Sequence, residues 1–499
     1  MVNDRSRAAW TNHGYRIKRQ RWSEALLERG SDWSTSDRRG GIGGLSAAGV
    51  LAPYFRQVLI LERDVLKPAA RARLGVPQGL HPHGLLAGGL KAMNEIFPGF
   101  EDTLVQAGGV PVGVARDIRF EHPEIGRLPQ RELGPRLVCA SRPLLELVLR
   151  QKAEAIPNLE IRSGCKVSEI VSALASANVQ GVRLVNQSGV SSFIDADLVV
   201  DASGRGALTE ALFEALSLQP PETTTIHINL FYTSAVIELP ERATKNWKLV
   251  LTLNDPPRIG DRGVLVPMER NRWMVTICQR GRLERIDGWD SYVSAFRELI
   301  TPTIHDALRQ AKPVEDLRQF AFPTSSWRHF ERTPRLPHGL LPIADAICRF
   351  NPIHGQGMSA AALQARLLRD VLEDAVAESD PVAALQEGFM AEIASVLETP
   401  WAMSTSRDLM FPDTRGPRPE HFQANVEFEL AMFRAAVIDP VVHKAAMDVN
   451  QLLQPQSLHR SPHIMNRIEE TNGVRTGWSH PEVMTGSSSL HLRTTVPRG

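Results

Sequence analysis

Gly41, Gly43 and Gly44 fall within GGIGGLSAAG, where a helix-like pattern begins with Ile42, Leu45, Ala48 and Val50 set among small residues. Glycines at such a turn let the backbone come close to a phosphate. The start of a helix adds unpaired N–H groups and a positive dipole end. That chemistry suits the pyrophosphate of a dinucleotide. RQVLILERD follows as a short apolar strand ending in Glu62. The acid stands about 20 residues past the turn, where a carboxylate accepting ribose hydroxyls is expected. When G-x-G-x-x-G is aligned on Gly41 and Gly44, Arg39 holds the first glycine position. The fingerprint is incomplete, so turn, helix, strand and acid must carry the nucleotide reading together.

Three more segments hold residues able to do chemistry. In DLVVDASGRG an apolar strand ends in Asp201, and small residues follow that allow close backbone approach. In LLPIADAICRFNPIHGQGMSAA a strand ends in Asp345, and Pro352, Gly355, Gly357 and Met358 open a helix. Asp345 is placed to bond a polyol, and the helix start to face an electron-rich ring edge. ARARLGVPQGLHPHGLLAGG gathers Arg73, Gln78, His81 and His83. Two histidines without further Cys, His or acid partners do not make a metal site. Arg142, after Ser141 at another helix start, is in place to reach a phosphate. Each string alone also reads as an ordinary strand end, a Pro/Gly loop or a solvated pair.

The elements that must position these residues alternate helix and strand, which predicts an α/β protein with a Rossmann-like parallel sheet. Residues 40–108, 134–218 and 334–376 read as that discontinuous nucleotide-binding domain. Residues 109–133 and 219–333 read as a substrate domain on a mainly antiparallel sheet, with a hairpin at Glu269–Asn271 and helices near 288–300 and 303–311. Residues 377–475 read as helical and 476–499 as a loose tail. The formal charge of the 499-residue chain is +1, which gives no basic surface for nucleic acid. Its four cysteines lie far apart and form no C-x-x-C pair, so neither a zinc site nor a disulfide framework is expected. No run approaches the ~18 apolar residues of a membrane span, and no signal-like start is seen. A cytoplasmic setting is the expectation; nothing in the sequence bears on oligomeric state.

Residues 1–39 fit none of this and read as an irregular arm. A buried parallel strand should precede the glycine turn as an apolar run. DWSTSDRR instead carries two aspartates and two arginines. Codons able to encode Asp37-Arg38-Arg39 can, read one base later, encode Ile-Gly-Gly, which ends an apolar strand and restores the missing glycine. A shifted reading frame upstream of Gly40 is the expectation that follows.

GGIGGLSAA, LILERD, RLGVPQGLHPHGLL, SRPLLE, DLVVDASGRG and ADAICRFNPIHGQGM, in this order, resemble FAD-dependent monooxygenases of the aromatic-hydroxylase type. The closest likeness is to a bacterial group with a GVPQ…HxHGLL segment, over roughly residues 40 to 470. The resemblance implies that Gly41, Gly43 and Gly44 hold the FAD pyrophosphate and Glu62 the adenosine ribose. Arg63, Arg73 and Arg142 would lie along the cofactor, and Val167 would meet the adenine through its backbone. Asp201 would sit near the pyrophosphate and Asp345 on the ribityl chain, with Pro352, Gly355, Gly357 and Met358 bordering the isoalloxazine. Arg39 and Ala344 depart from the family, which has glycine at both positions.

The activity implied is monooxygenation. NAD(P)H, docking transiently, reduces FAD. Addition of O2 gives a flavin hydroperoxide that hydroxylates or epoxidises a small hydrophobic organic substrate. The cofactor carries this chemistry, so no fixed catalytic residue is required; His83 and Asp345 are the nearest candidates for tuning the flavin. A flavin-dependent reductase stays open, as does a chain that keeps the fold but whose altered N-terminus impairs FAD binding. The W-x-W pair of flavin halogenases is absent.

Overall fold

The computed structural model describes residues 32–37, 41–73, 79, 81–173, 176–186, 188–243, 246–281 and 285–473. The elements that position the site are, in chain order, β1 (Asp32–Asp37), α1 (Ile42–Leu51), β2 (Gln57–Glu62), β3 (Ile118–His122), α2 (Arg142–Glu154), β4 (Leu159–Ser163), β5 (Val199–Asp201) and β6 (Thr223–Glu238). There follow β7 (Leu249–Thr252), β8 (Arg262–Met268), β9 (Arg272–Arg280), β10 (Arg318–Arg328), β11 (Leu340–Pro342), α3 (Gly357–Ala375), α4 (Pro381–Leu409), α5 (Phe422–Ile438) and α6 (Pro440–Asn450).

A five-stranded parallel sheet runs in the order β11-β5-β1-β2-β4. The apolar runs explain most of it. Val58 to Leu61 of β2 and Val199 and Val200 of β5 are fully buried, as a sheet covered on both faces demands. Helix α1 packs on it, and α3 packs on α1, through small residues. Ala47 and Ala48 of the first and Ala360, Ala362 and Ala365 of the second are inaccessible to solvent, which allows close helix approach.

The strand at the centre corrects one expectation. Asp32–Asp37 is no irregular arm. It pairs parallel with β2 from Asp32↔Gln57 to Asp37↔Glu62 and with β5 at Ser34↔Val199 and Thr35↔Val200. Two apolar strands flank this gap, and their inward backbone groups need partners. Backbone pairing, rather than the preference of the side-chain types, selects the strand. Arg38, Arg39, Gly40 and Gln78 lie outside the described residues.

The second, mixed sheet contains the order β10-β6-β9-β8-β7-β3. All its pairs are antiparallel except β7 with β3. The expected hairpin is β8–β9, turning at Arg270 and Asn271, both with positive φ. Its two faces differ by the period of two. Ala235, Leu265, Val275 and Ile277 pack on Tyr292, Phe296 and Ile304. These last belong to the short helices Trp289–Ala295, Phe296–Glu298 and Thr303–Leu308, where helices were expected. Val264, Val266 and Met274 face the other way, into a cluster with Phe428, Met432 and Phe433 of α5 and Ala446 and Met447 of α6.

Candidate functional site

A cavity of about 870 Å³ opens between the two sheets. Its walls come from the first turns of α1 and α3, the segment 81–86, the mixed sheet, and α4 to α6. Of the residues expected from sequence, Gly41, Gly43, His81, His83, Arg142, Asp345, Pro352, Gly355, Gly357 and Met358 line it. Gly44, Glu62, Arg63, Arg73, Val167 and Asp201 do not.

The two helix starts come first. Gly41 caps α1 and Gln356 caps α3; neither residue accepts a helix N–H through a side chain, and neither first turn carries an acid. Two positive dipole ends therefore face one space. Ala344 holds φ +59° between them, and its neighbour Asp345 turns into the cavity. A Cβ built on Gly204 would lie 3.9 Å from Asp345 Cβ, so the ends of β5 and β11 meet there.

Asp201 is spent inside the protein. Fully buried, it accepts the Ser203 N–H at 2.9 Å and the Thr209 hydroxyl at 2.5 Å, pinning the loop after β5. Glu62 is also fully buried and accepts the Asp64 N–H at 2.7 Å and Arg73 Nη1 at 2.8 Å. Burial raises its carboxyl to about 7, although Arg73 pulls the other way. Arg73 donates onward to Glu146 at 2.7 Å, and Glu146 accepts Arg142 Nε at 2.7 Å. The chain Glu62–Arg73–Glu146–Arg142 thus joins the end of β2 to the cavity wall. Sequence reading missed Glu146, although its i,i+4 spacing from Arg142 was a signal. Arg63 is half-exposed, 3.9 Å from Asp64. The Cys165 N–H donates to the Glu62 carbonyl at 2.9 Å, and Val167 follows in a strand opposite Leu184. Glu62, Arg63 and Val167 therefore cluster at one end of the parallel sheet.

His81 and His83 are both shifted toward the neutral form. Burial, with Arg142 adding to it, lowers His83 to about 3; burial lowers His81 to about 4. His83 Nδ1 lies 2.6 Å from the His81 carbonyl. It must donate there, leaving Nε2 as an acceptor. His81 Nδ1 bonds Ser234 Oγ at 2.7 Å and so ties this segment to the mixed sheet.

A second polar chain holds the loop before α3. Tyr232 donates to Asn351 Oδ1 at 2.5 Å, Asn351 Nδ2 to Asp408 Oδ2 at 2.8 Å, and Arg280 Nη2 to Asp408 Oδ1 at 3.1 Å. Sequence reading also missed Arg262, His354, Arg407 and Glu429, all of which line the cavity. Among the described residues no group of three or more metal-ligating side chains comes together, and no helix is long and apolar enough to cross a membrane.

No known family profile matches the chain. Protein Rv3254 of Mycobacterium tuberculosis is 29% identical over 419 residues, covering 80% of this chain and 85% of that protein. Among solved structures, the flavin-dependent brominase Bmp2 matches with a TM-score of 0.61 at 14% identity, over 89% of this chain and 98% of its own. p-Nitrophenol 4-monooxygenase PnpA from Pseudomonas putida matches with a TM-score of 0.60 at 18% identity, over 85% and 98%. PqsL, a probable FAD-dependent monooxygenase from Pseudomonas aeruginosa, matches at 0.54 and 15%, over 76% and 98%. The fold is the flavin-monooxygenase fold.

In that fold the cavity residues fit a flavin nucleotide. Cβ atoms built on Gly355 and Gly357 meet no heavy atom within 4 Å, so the loop before α3 leaves open space where a flat ring can lie. Gln356 Oε1 and His354 Nε2, beside these glycines, are buried without hydrogen-bond partners.

Proposed function

We propose that the chain is an FAD-dependent monooxygenase that takes electrons from transiently bound NADH or NADPH and inserts one oxygen atom of O2 into an organic substrate. One observation carries this reading. Two uncapped helix starts and a carboxylate face a single cavity whose far wall is an apolar sheet. Bound FAD supplies the redox and oxygen-activating chemistry. Gly41 and Gly43 at the start of α1 would take the pyrophosphate, and Arg142 would add positive charge beside it. Asp345 would accept the ribityl hydroxyls. Pro352, Gly355, Gly357 and Met358 would border the ring, where the N-terminus of α3 favours negative charge on its edge. Leu249, Leu251, Val264, Val266, Phe428 and Phe433 exclude water from the space beside it. Residues 40–108, 134–218 and 334–376 act in this reading as the cofactor domain.

The test is isotopic. The purified protein should be yellow and should oxidise NADH or NADPH with uptake of O2, and product formed under labelled dioxygen should carry the label. Product formed under strict anaerobiosis would make the chain a reductase. A colourless protein that takes up no added FAD would make it a fold-retaining chain without the cofactor.

A further inference from the structure

Arg262 is a buried cation without a counter-ion. Its residue exposure is 7%, its Nε has no hydrogen-bond partner, and among the described residues no carboxylate lies within ion-pairing distance of it. Strand register shows where it stands. Arg262 lies opposite Cys278, Cys278 opposite Tyr232, and Tyr232 opposite Phe320, one row across β8, β9, β6 and β10. Side chains in such a row share a face, and Arg262, Tyr232 and Phe320 line the cavity.

The neighbours do not neutralise it. Asp408 is the carboxylate whose charge acts on Arg262, but its oxygens are taken by Arg280 and Asn351. The Tyr232 proton goes to Asn351. Arg407 adds a second, half-buried cation; its guanidinium contacts the Asn254 carbonyl at 3.1 Å and His122 Nε2 at 2.9 Å. Of the acids lining the cavity, Glu429 answers Arg407, while Asp345 and Glu398 stand elsewhere on the wall. His354 Nε2 is buried without a partner, and the charges of both Arg262 and Arg407 act on the same ring. An unpaired buried guanidinium is costly in the empty site and strongly favourable once an anion meets it.

We infer that the cavity takes an amphipathic organic anion — a carboxylate, phenolate or enolate — with its charged group on Arg262 beside His354 and its apolar body against Leu251, Val264, Val266, Phe428 and Phe433. This rests on the cavity being the substrate site of a flavoenzyme, and it adds a charged group to the expected small hydrophobic organic substrate. Arg262 is then the residue that sets specificity.

The experiment uses the full-length protein, FAD-loaded where it binds FAD, and two probe pairs: naphthoate with naphthalenemethanol, and laurate with dodecanol. Calorimetric titration at neutral pH should show one anion bound about tenfold or more tightly than its neutral partner. Arg262→Met should bring the pair to near-equal affinity, and Arg262→Lys should keep part of the preference. If the Met variant does not fold, the Lys variant and the salt dependence of wild-type binding decide. Equal affinities in the wild type, no measurable binding of either anion, or an unchanged preference in the variants overturns the inference. Flavin content is read separately. Anion preference in a protein that takes up no FAD would leave the inference standing and remove the flavin reading, and a yellow protein without preference would do the reverse.

Discussion

Gly43 and Ala344 face each other at the mouth of the first helix: a Cβ built on Gly43 would lie 2.6 Å from the Cβ of Ala344. Real Cβ atoms do not come so close, so Gly43→Ala forces α1 and the Ala344 turn apart. A loss of about 1–3 kcal/mol is expected. Ala344 holds φ +59°, which costs an L-residue roughly 1 kcal/mol that glycine does not incur. Ala344→Gly alone should therefore raise the denaturation midpoint, and in the double variant it should recover most of the loss caused by Gly43→Ala. Additive changes in urea titrations would show that the two positions do not touch.

In the proposed function Asp345 is the acceptor for the polyol of FAD. An apolar replacement leaves those hydroxyls unpaired, which costs ~1–3 kcal/mol. Asp345→Ala should weaken FAD binding about tenfold or more while leaving the circular-dichroism spectrum unchanged. Equal affinity by fluorescence titration sinks the assignment.

Acid stability should be governed by buried histidines. Burial lowers His81, His122, His443 and His459 to about 3–4 in the folded chain, as it does His83. Between those values and the ordinary ~6.5 the unfolded chain binds more protons, so stability rises with pH across that window. Glu62, raised to about 7, acts in the opposite direction between ~4.5 and 7, where the folded chain holds the extra proton. The histidines outnumber it, so the thermal midpoint should climb from pH ~4.5 to ~6.5. Glu62→Gln should steepen that climb. A midpoint that falls over the same range, or a slope unchanged by the substitution, contradicts the assignment.

The central strand carries a sequence unsuited to its place. DWSTSD pairs between two fully buried apolar strands, where an apolar run is the rule. Our hypothesis is that residues 1–39 come from a shifted frame. Sequencing the gene across codons 30–42 checks this directly. Replacing residues 30–39 with an apolar strand ending in Ile-Gly-Gly should raise both FAD content and the thermal midpoint. Unchanged flavin content would mean that the present strand already serves.

The parts of this structure legible in the sequence are those where one local pattern has one outcome. The run ending in Glu62 reads as a strand and the glycines before Ser359 as the opening of a helix, and both form as read. β1 was illegible because its partners, not its residues, make it a strand. Arg262 was missed because an arginine just before an apolar run reads as part of the preceding turn. Its clue was phase, since Arg262 alternates in step with Val264 and Val266 and so shares their face. The Tyr232–Asn351–Asp408–Arg280 chain was beyond reach, because it joins residues distant in sequence through side chains that look ordinary one by one.

The strand order also fixes the timetable of synthesis. β1 can pair with β2 almost as soon as both leave the ribosome, but its other edge waits for Val199–Asp201, and the sheet closes only when Leu340–Pro342 emerges. At ~5–20 residues per second the first wait alone lasts on the order of ten seconds. Throughout it the nascent chain carries an open edge, the kind that invites mispairing with a neighbour on the same polysome. Yield in the cell should therefore follow translation rate and chaperone supply as much as the stability of the finished fold.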